Sequence, residues 1–141
     1  MAGKNTIGYG CIVDKESDQS ITIVLVNGAK KEYKKPLNKG IFNEMFNENL
    51  NIIDGKIYKI IGKDVKQSHF DAMVSLAFNI GLDAIAHSTA LRELKNGNFE
   101  KAKNAIMLWN KVTVNGKKIE SKGLTNRRKK EQDMFSGIYN A

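Results

Sequence analysis

The residues able to do chemistry are few, and their spacing limits what they can do. Asp14, Glu16 and Asp18 follow the run Thr6-Ile7-Gly8-Tyr9-Gly10-Cys11 at alternate positions. A carboxyl that donates a proton near neutrality needs burial to raise its affinity. Three acids so close together in a polar segment are expected in an exposed loop, which is a poor setting for an acid catalyst. Cys11 is the only cysteine, which excludes an intrachain disulfide and a cysteine-rich zinc site; a buried, inert thiol is expected there. His69 and His87 are too few and too far apart for a histidine-built metal centre and are expected at the surface or at helix caps. Trp109 lies on the inner face of a helical pattern, where a core role is the ordinary one and stacking on a sugar the alternative. Asn79 is a polar residue at the end of an apolar helix, where a cap is the ordinary role.

Charge narrows the partners. Lys and Arg outnumber Asp and Glu by 23 to 15, a net charge of +8. Part of this excess is concentrated at Lys117, Lys118, Lys122, Arg127, Arg128, Lys129 and Lys130. Such a balance favours a polyanion: nucleic acid, anionic membrane or anionic cell wall. No nucleic-acid module is recognisable and aromatics are only 8%, which argues against the first. No run of about 18 apolar residues is present to span a membrane, and the N-terminus has no secretory signal pattern.

The elements that must position these residues follow from periodicity. Ile21, Ile23 and Leu25 alternate as one face of a strand, Asn27-Gly28 favours a tight turn, and Ala29 to Lys34 is a charged return strand at an edge. From Lys39 the period becomes helical, through Phe42, Met45, Phe46, Leu50, Ile53, Ile57 and Ile61, with Gly55 and Gly62 as weak points or ends. Ser68-His69-Phe70-Asp71 has the form of a capping box before a broad apolar helix that Gly81 ends. Ser88 or Thr89 caps a short helix with Leu91 and Leu94 inward, and Asn98 caps another with Phe99, Ala102, Ile106 and Trp109 inward. Val112 to Ile119 reads as a hairpin around Asn115-Gly116. A last helix is expected from about Thr125 to Tyr139, with Arg128, Glu131, Phe135, Ile138 and Tyr139 in its pattern. The fold class is α+β, mainly α. The expectation is one domain over 1–141, with a small β-containing lobe plus connecting helix to about residue 60 packed beside a helical lobe from about 61.

Four segments in register resemble the phage-type lysozymes, glycoside hydrolase family 24. These are Thr6-Ile7-Gly8-Tyr9-Gly10; Phe70 to Gly81, ending Phe78-Asn79-Ile80-Gly81; Ser88 to Leu94 with Asn96-Gly97 and Trp109; and Gly123-Leu124-Thr125-Asn126-Arg127-Arg128-Lys129-Lys130-Glu131. The resemblance implies a lysozyme-like fold and hydrolysis of the β-1,4 bond between N-acetylmuramic acid and N-acetylglucosamine in bacterial peptidoglycan. It implies no metal or organic cofactor, because this chemistry uses an acid, a second carboxylate and water. It also implies a protein that starts in the bacterial host cytoplasm and reaches the wall after release, with a holin as the family-typical helper.

Residue by residue, the resemblance makes Thr6 the catalytic-site threonine. Ile12, Phe78, Asn79 and Arg127 are expected to bind substrate: Ile12 and Phe78 as cleft wall, Asn79 through a hydrogen bond to sugar. Arg127 matches an arginine that pairs with the catalytic Glu in relatives, whereas Arg128 and Glu131 are expected to be structural. Gly3 matches the family glycine of Asp-x-x-Gly-x-x-Thr. The motif then puts its Asp immediately before Met1 and its Glu further upstream, so the 141 residues alone are expected to be inactive or weak. An uncovered helix-packing surface is further expected to promote self-association.

Overall fold

The computed structural model describes residues 6–7, 11–62 and 65–139. Four antiparallel strands come first: β1 Thr6–Ile7, β2 Cys11–Glu16, β3 Ser20–Val24 and β4 Lys30–Lys34, adjacent in chain order. Alternation along β3 buries Ile21 and Ile23, and Leu25 continues the same face. Tyr33 from β4 and Met45 from the helix α1, Lys39–Ile61, complete a core onto which Val13, Ile41 and Phe42 pack. The lysine-rich β4 is the sheet edge, where charge deters further pairing.

The first Asn-Gly does not make a two-residue turn. The Gly28 N–H bonds the Leu25 carbonyl and the Leu25 N–H bonds Ala29, with Gly28 at φ +89° and no positive φ at Asn27. This is a three-residue loop whose glycine forms the bulge. The expected loop of acids is also corrected. Asp14 and Glu16 lie in β2, with Asp14 as the extra residue where the register shifts between Val13 and Lys15. Asp14 pairs with Lys30 at 3.3 Å and Glu16 with Lys35, while backbone pairing with β3 holds the strand.

The helices follow as α2 Gln67–Ile80, α3 Leu82–Ala86, α4 Thr89–Lys95, α5 Phe99–Ile106 and α6 Lys122–Phe135. A 3-10 turn, Met107–Trp109, and the hairpin β5 Lys111–Val114 with β6 Lys117–Glu120 separate α5 from α6. Contacts group the chain into two units, Met1–Asp54 and Gly55–Ala141, each with its own interior. No described helix is long and apolar enough to cross a membrane.

Periodicity located the second unit's core, and tertiary partners changed its ends. Ser68 does not cap α2. Lys66 is the extended residue before the helix, and the buried Ser68 hydroxyl instead donates to the Phe135 carbonyl at 3.2 Å. Gly81 ends α2 as expected, its N–H bonded to Ala77. Ser88 caps α4 by accepting from Leu91 N–H at 3.1 Å. Asn98 stands at the start of α5, but its amide donates to Glu93 and caps nothing. Phe99 is half exposed, because its ring lies over His69 at the core margin. The last helix stops at Phe135. Ile138 and Tyr139 are exposed beyond it, and the Tyr139 hydroxyl bonds Asp71 at 2.8 Å.

Candidate functional site

The second unit carries an open concavity of about 630 Å³ built from five short pieces of chain. The C-terminal end of α2 contributes Asn79 and Ile80, and the approach to α4 contributes His87, Ser88 and Thr89. The 3-10 turn adds Leu108 and Trp109, the hairpin adds Lys111, Thr113 and Lys118, and α6 adds Leu124. The hairpin is aimed by its turn. Asn115 and Gly116 both adopt positive φ, 51° and 79°, which makes a two-residue turn that pairs Val114 with Lys117. That register sets Thr113 opposite Lys118 and Lys111 opposite Glu120, so period two brings the lysines and the threonine to one face.

The lining is amphipathic, with one indole, an amide, hydroxyls and two ammonium groups. Such a set can stack on an apolar sugar face while bonding ring hydroxyls and acetamido groups. These described lining groups are suited to holding a ligand.

Beneath it lies a buried charged cluster on α6. Arg128 and Glu131 are 0% and 1% exposed and approach to 2.6 Å between Nε and Oε1. The contact lies off the N–H direction, so it is a charge contact more than a straight hydrogen bond. Arg128 Nη1 donates to the Trp109 carbonyl at 3.1 Å, and Ser75 Oγ donates to Glu131 Oε2 at 2.6 Å. Burial pushes the Glu131 carboxyl up, opposed by the Ser75 hydroxyl and then by Arg128. Burial likewise lowers Arg128, and the Glu131 charge opposes that shift. The contact therefore favours the charged pair that desolvation penalises.

His69 is another buried titratable group. Its ring stacks on Phe135 at 4.0 Å and tilts against Phe99 at 4.8 Å, and buried Nδ1 has no partner. Burial, then the Lys66 charge, holds its proton affinity below the ordinary value. This core position corrects the expected surface or capping role. His87 does act near a helix end, its Nδ1 2.9 Å from the Asp83 carbonyl.

The sequence-derived site residues fall in both units, Thr6 and Ile12 in the first and Phe78, Asn79 and Arg127 in the second. Thr6 is described only through its backbone, which pairs with Ile12; the Gly8-Tyr9-Gly10 turn and the Thr6 and Cys11 side chains lie outside the described residues. Ile12 is half-buried in β2 and Phe78 half-buried in α2. Of the four whose side chains are described, Asn79 lines the concavity, and the C-cap of α2 is Gly81 rather than Asn79. Arg127 is half exposed, its Nε 3.8 Å from Glu131 Oε2. Trp109, expected as core, is only partly buried and faces the concavity. Among the described residues no three His, Cys, Asp or Glu side chains cluster as a metal site.

The family model described as phage lysozyme matches residues 1–131. The chain belongs to the phage lysozyme family. Within this family it is 46% identical over 83 residues to the endolysin of Bacillus phage B103, covering 59% of this chain and 30% of that protein. It is 36% identical over 93 residues to the endolysin of Salmonella phage P22, covering 66% and 60%. The chain thus spans less than two thirds of the length of these curated relatives. Among solved structures, the endolysin from Escherichia coli O157:H7 phage FAHEc1 superposes with a TM-score of 0.70 at 29% identity, covering 92% of this chain and 85% of that one. The α+β lysozyme architecture expected from the sequence is therefore the one found.

Proposed function

We propose that the chain serves as a phage endolysin, hydrolysing the β-1,4 bond between N-acetylmuramic acid and N-acetylglucosamine of bacterial peptidoglycan. The family match over residues 1–131 carries this reading. The chemistry requires an acid to protonate the leaving oxygen and a carboxylate to position water or the sugar cation on the other face. Glu131 is engaged in its ion pair, and Asp14 and Glu16 with lysines. In this reading Thr6 belongs to the reacting centre, Ile12 and Phe78 are cleft wall, and Asn79 bonds sugar. Arg127 stands beside the buried pair with its guanidinium half in solvent. The net charge of +8 draws the protein onto anionic wall polymer, an attraction that salt screens. The enzyme is made in the host cytoplasm and acts on the wall after release.

The test is chemical. Purified peptidoglycan is incubated with the 141-residue chain and, in parallel, with the chain preceded by its own in-frame upstream coding sequence. New reducing ends are then reduced with borohydride and identified by mass. Reduced N-acetylmuramic acid supports a muramidase, and its loss on Thr6→Ala places Thr6 in the centre. Co-sedimentation with wall in both forms, without any new reducing end, would overturn hydrolysis and leave a wall-binding module.

A further inference from the structure

A buried ion pair is a costly way to fill a core, since apolar side chains of similar volume usually serve as well or better. What the pair Arg128–Glu131 adds is direction at its two outer ends. Arg128 Nη1 reaches the carbonyl of Trp109, the last residue of the 3-10 turn. Glu131 Oε2 receives Ser75 Oγ from α2, one helical turn before Asn79. Both Trp109 and Asn79 line the concavity. The next residue, Asn110, is tied to the same region: its amide donates to Thr125 Oγ1 at 3.1 Å and its carbonyl accepts from Ser121 N–H at 2.8 Å. One helix thus reaches two separate lining elements through a single charged link.

We propose that Arg128, Glu131 and Ser75 form a positioning network that fixes Trp109 and Asn79 relative to each other for engaging N-acetylated glycan. The glycan part rests on the proposed function; the tethering of Trp109 does not. The network touches no substrate. It removes freedom from two residues that do, so that a sugar meets a set wall and does not have to order it.

Trp109 is the only tryptophan, so its fluorescence reports the tether directly. The deciding variant replaces Arg128→Met together with Glu131→Leu, which keeps the volume and removes both charges. Its Tm is expected to match or exceed that of the parent. Trp109 emission should shift to the red and acrylamide quenching should rise. The affinity for triacetylchitotriose, read from the same fluorescence, should weaken roughly fivefold, the worth of about one hydrogen bond. Parental emission, quenching and affinity in a folded double variant would overturn the proposal. If the double variant does not fold, Arg128→Lys decides. It puts one ammonium where two guanidinium nitrogens now divide the Glu131 and Trp109 contacts, so unchanged quenching and affinity there also overturn it. A parent whose Trp109 ignores the sugar counts against the glycan reading alone, and the acrylamide comparison still judges the tether.

Discussion

Mild acid should loosen the helical unit through His69. The imidazole lies between Phe135 and Phe99, and its Nδ1 is buried without a partner. Burial first, and Lys66 second, depress its folded pKa below the ordinary 6.5. The unfolded chain therefore takes up the proton more readily than the folded one. Stability is whole above 6.5 and declines as pH falls through the folded value. One proton gives a slope of at most about 1.4 kcal/mol per pH unit in that window. His69→Phe keeps a ring between the two phenylalanines and removes the titration. Urea unfolding of both proteins, followed by circular dichroism at several pH values from neutral to mildly acidic, gives the difference in unfolding free energy. Glu131 works in the opposite sense: its raised pKa costs stability as pH rises above 4.5. It is common to both proteins, so it drops out of the difference. The parent should lose stability relative to His69→Phe on acidification. A flat difference, or one that turns in the parent's favour, would refute the assignment of a neutral buried imidazole.

Three further outcomes are expected. Leu91→Ala, at a position 1% exposed, should cost about 3 kcal/mol, read as a lower urea midpoint at unchanged slope. Ser88→Ala removes both the acceptor for the Leu91 N–H and the donor to the Ile85 carbonyl, and should cost about 1 kcal/mol in the same assay. Gly116→Ala forces a side chain into a positive φ of 79° and should destabilise the hairpin by about 1 kcal/mol, seen as faster amide exchange across β5 and β6.

Much of this fold can be read along the chain, because its interior is patterned. Ile21 and Ile23 at period two, and Met45, Ile53 and Ile57 at helical spacing, are buried where the pattern put them. The misreadings share one cause: a local signal has several spatial outcomes. Ser68 has the type of a cap, yet the Phe135 carbonyl, far along the sequence, claims its hydroxyl. Three Asn-Gly pairs look alike, and only Asn115-Gly116 takes positive φ at both residues. The site was less legible than the core. Asn79 and Trp109 were singled out separately, and nothing local indicated that they line one concavity with His87, Thr89 and Lys118. The hairpin lysines were closest to being deducible, since the turn sets the register and the register sets their face.

The hairpin also separates what the unit recognises from what keeps it folded. All eight of its strand residues are exposed, yet Lys111, Thr113 and Lys118 form part of the concavity wall. Surface substitutions of this kind usually change stability by less than about 0.5 kcal/mol. The proposed glycan contacts at these three positions can therefore be altered one side chain at a time while the helices of the unit stay as they are.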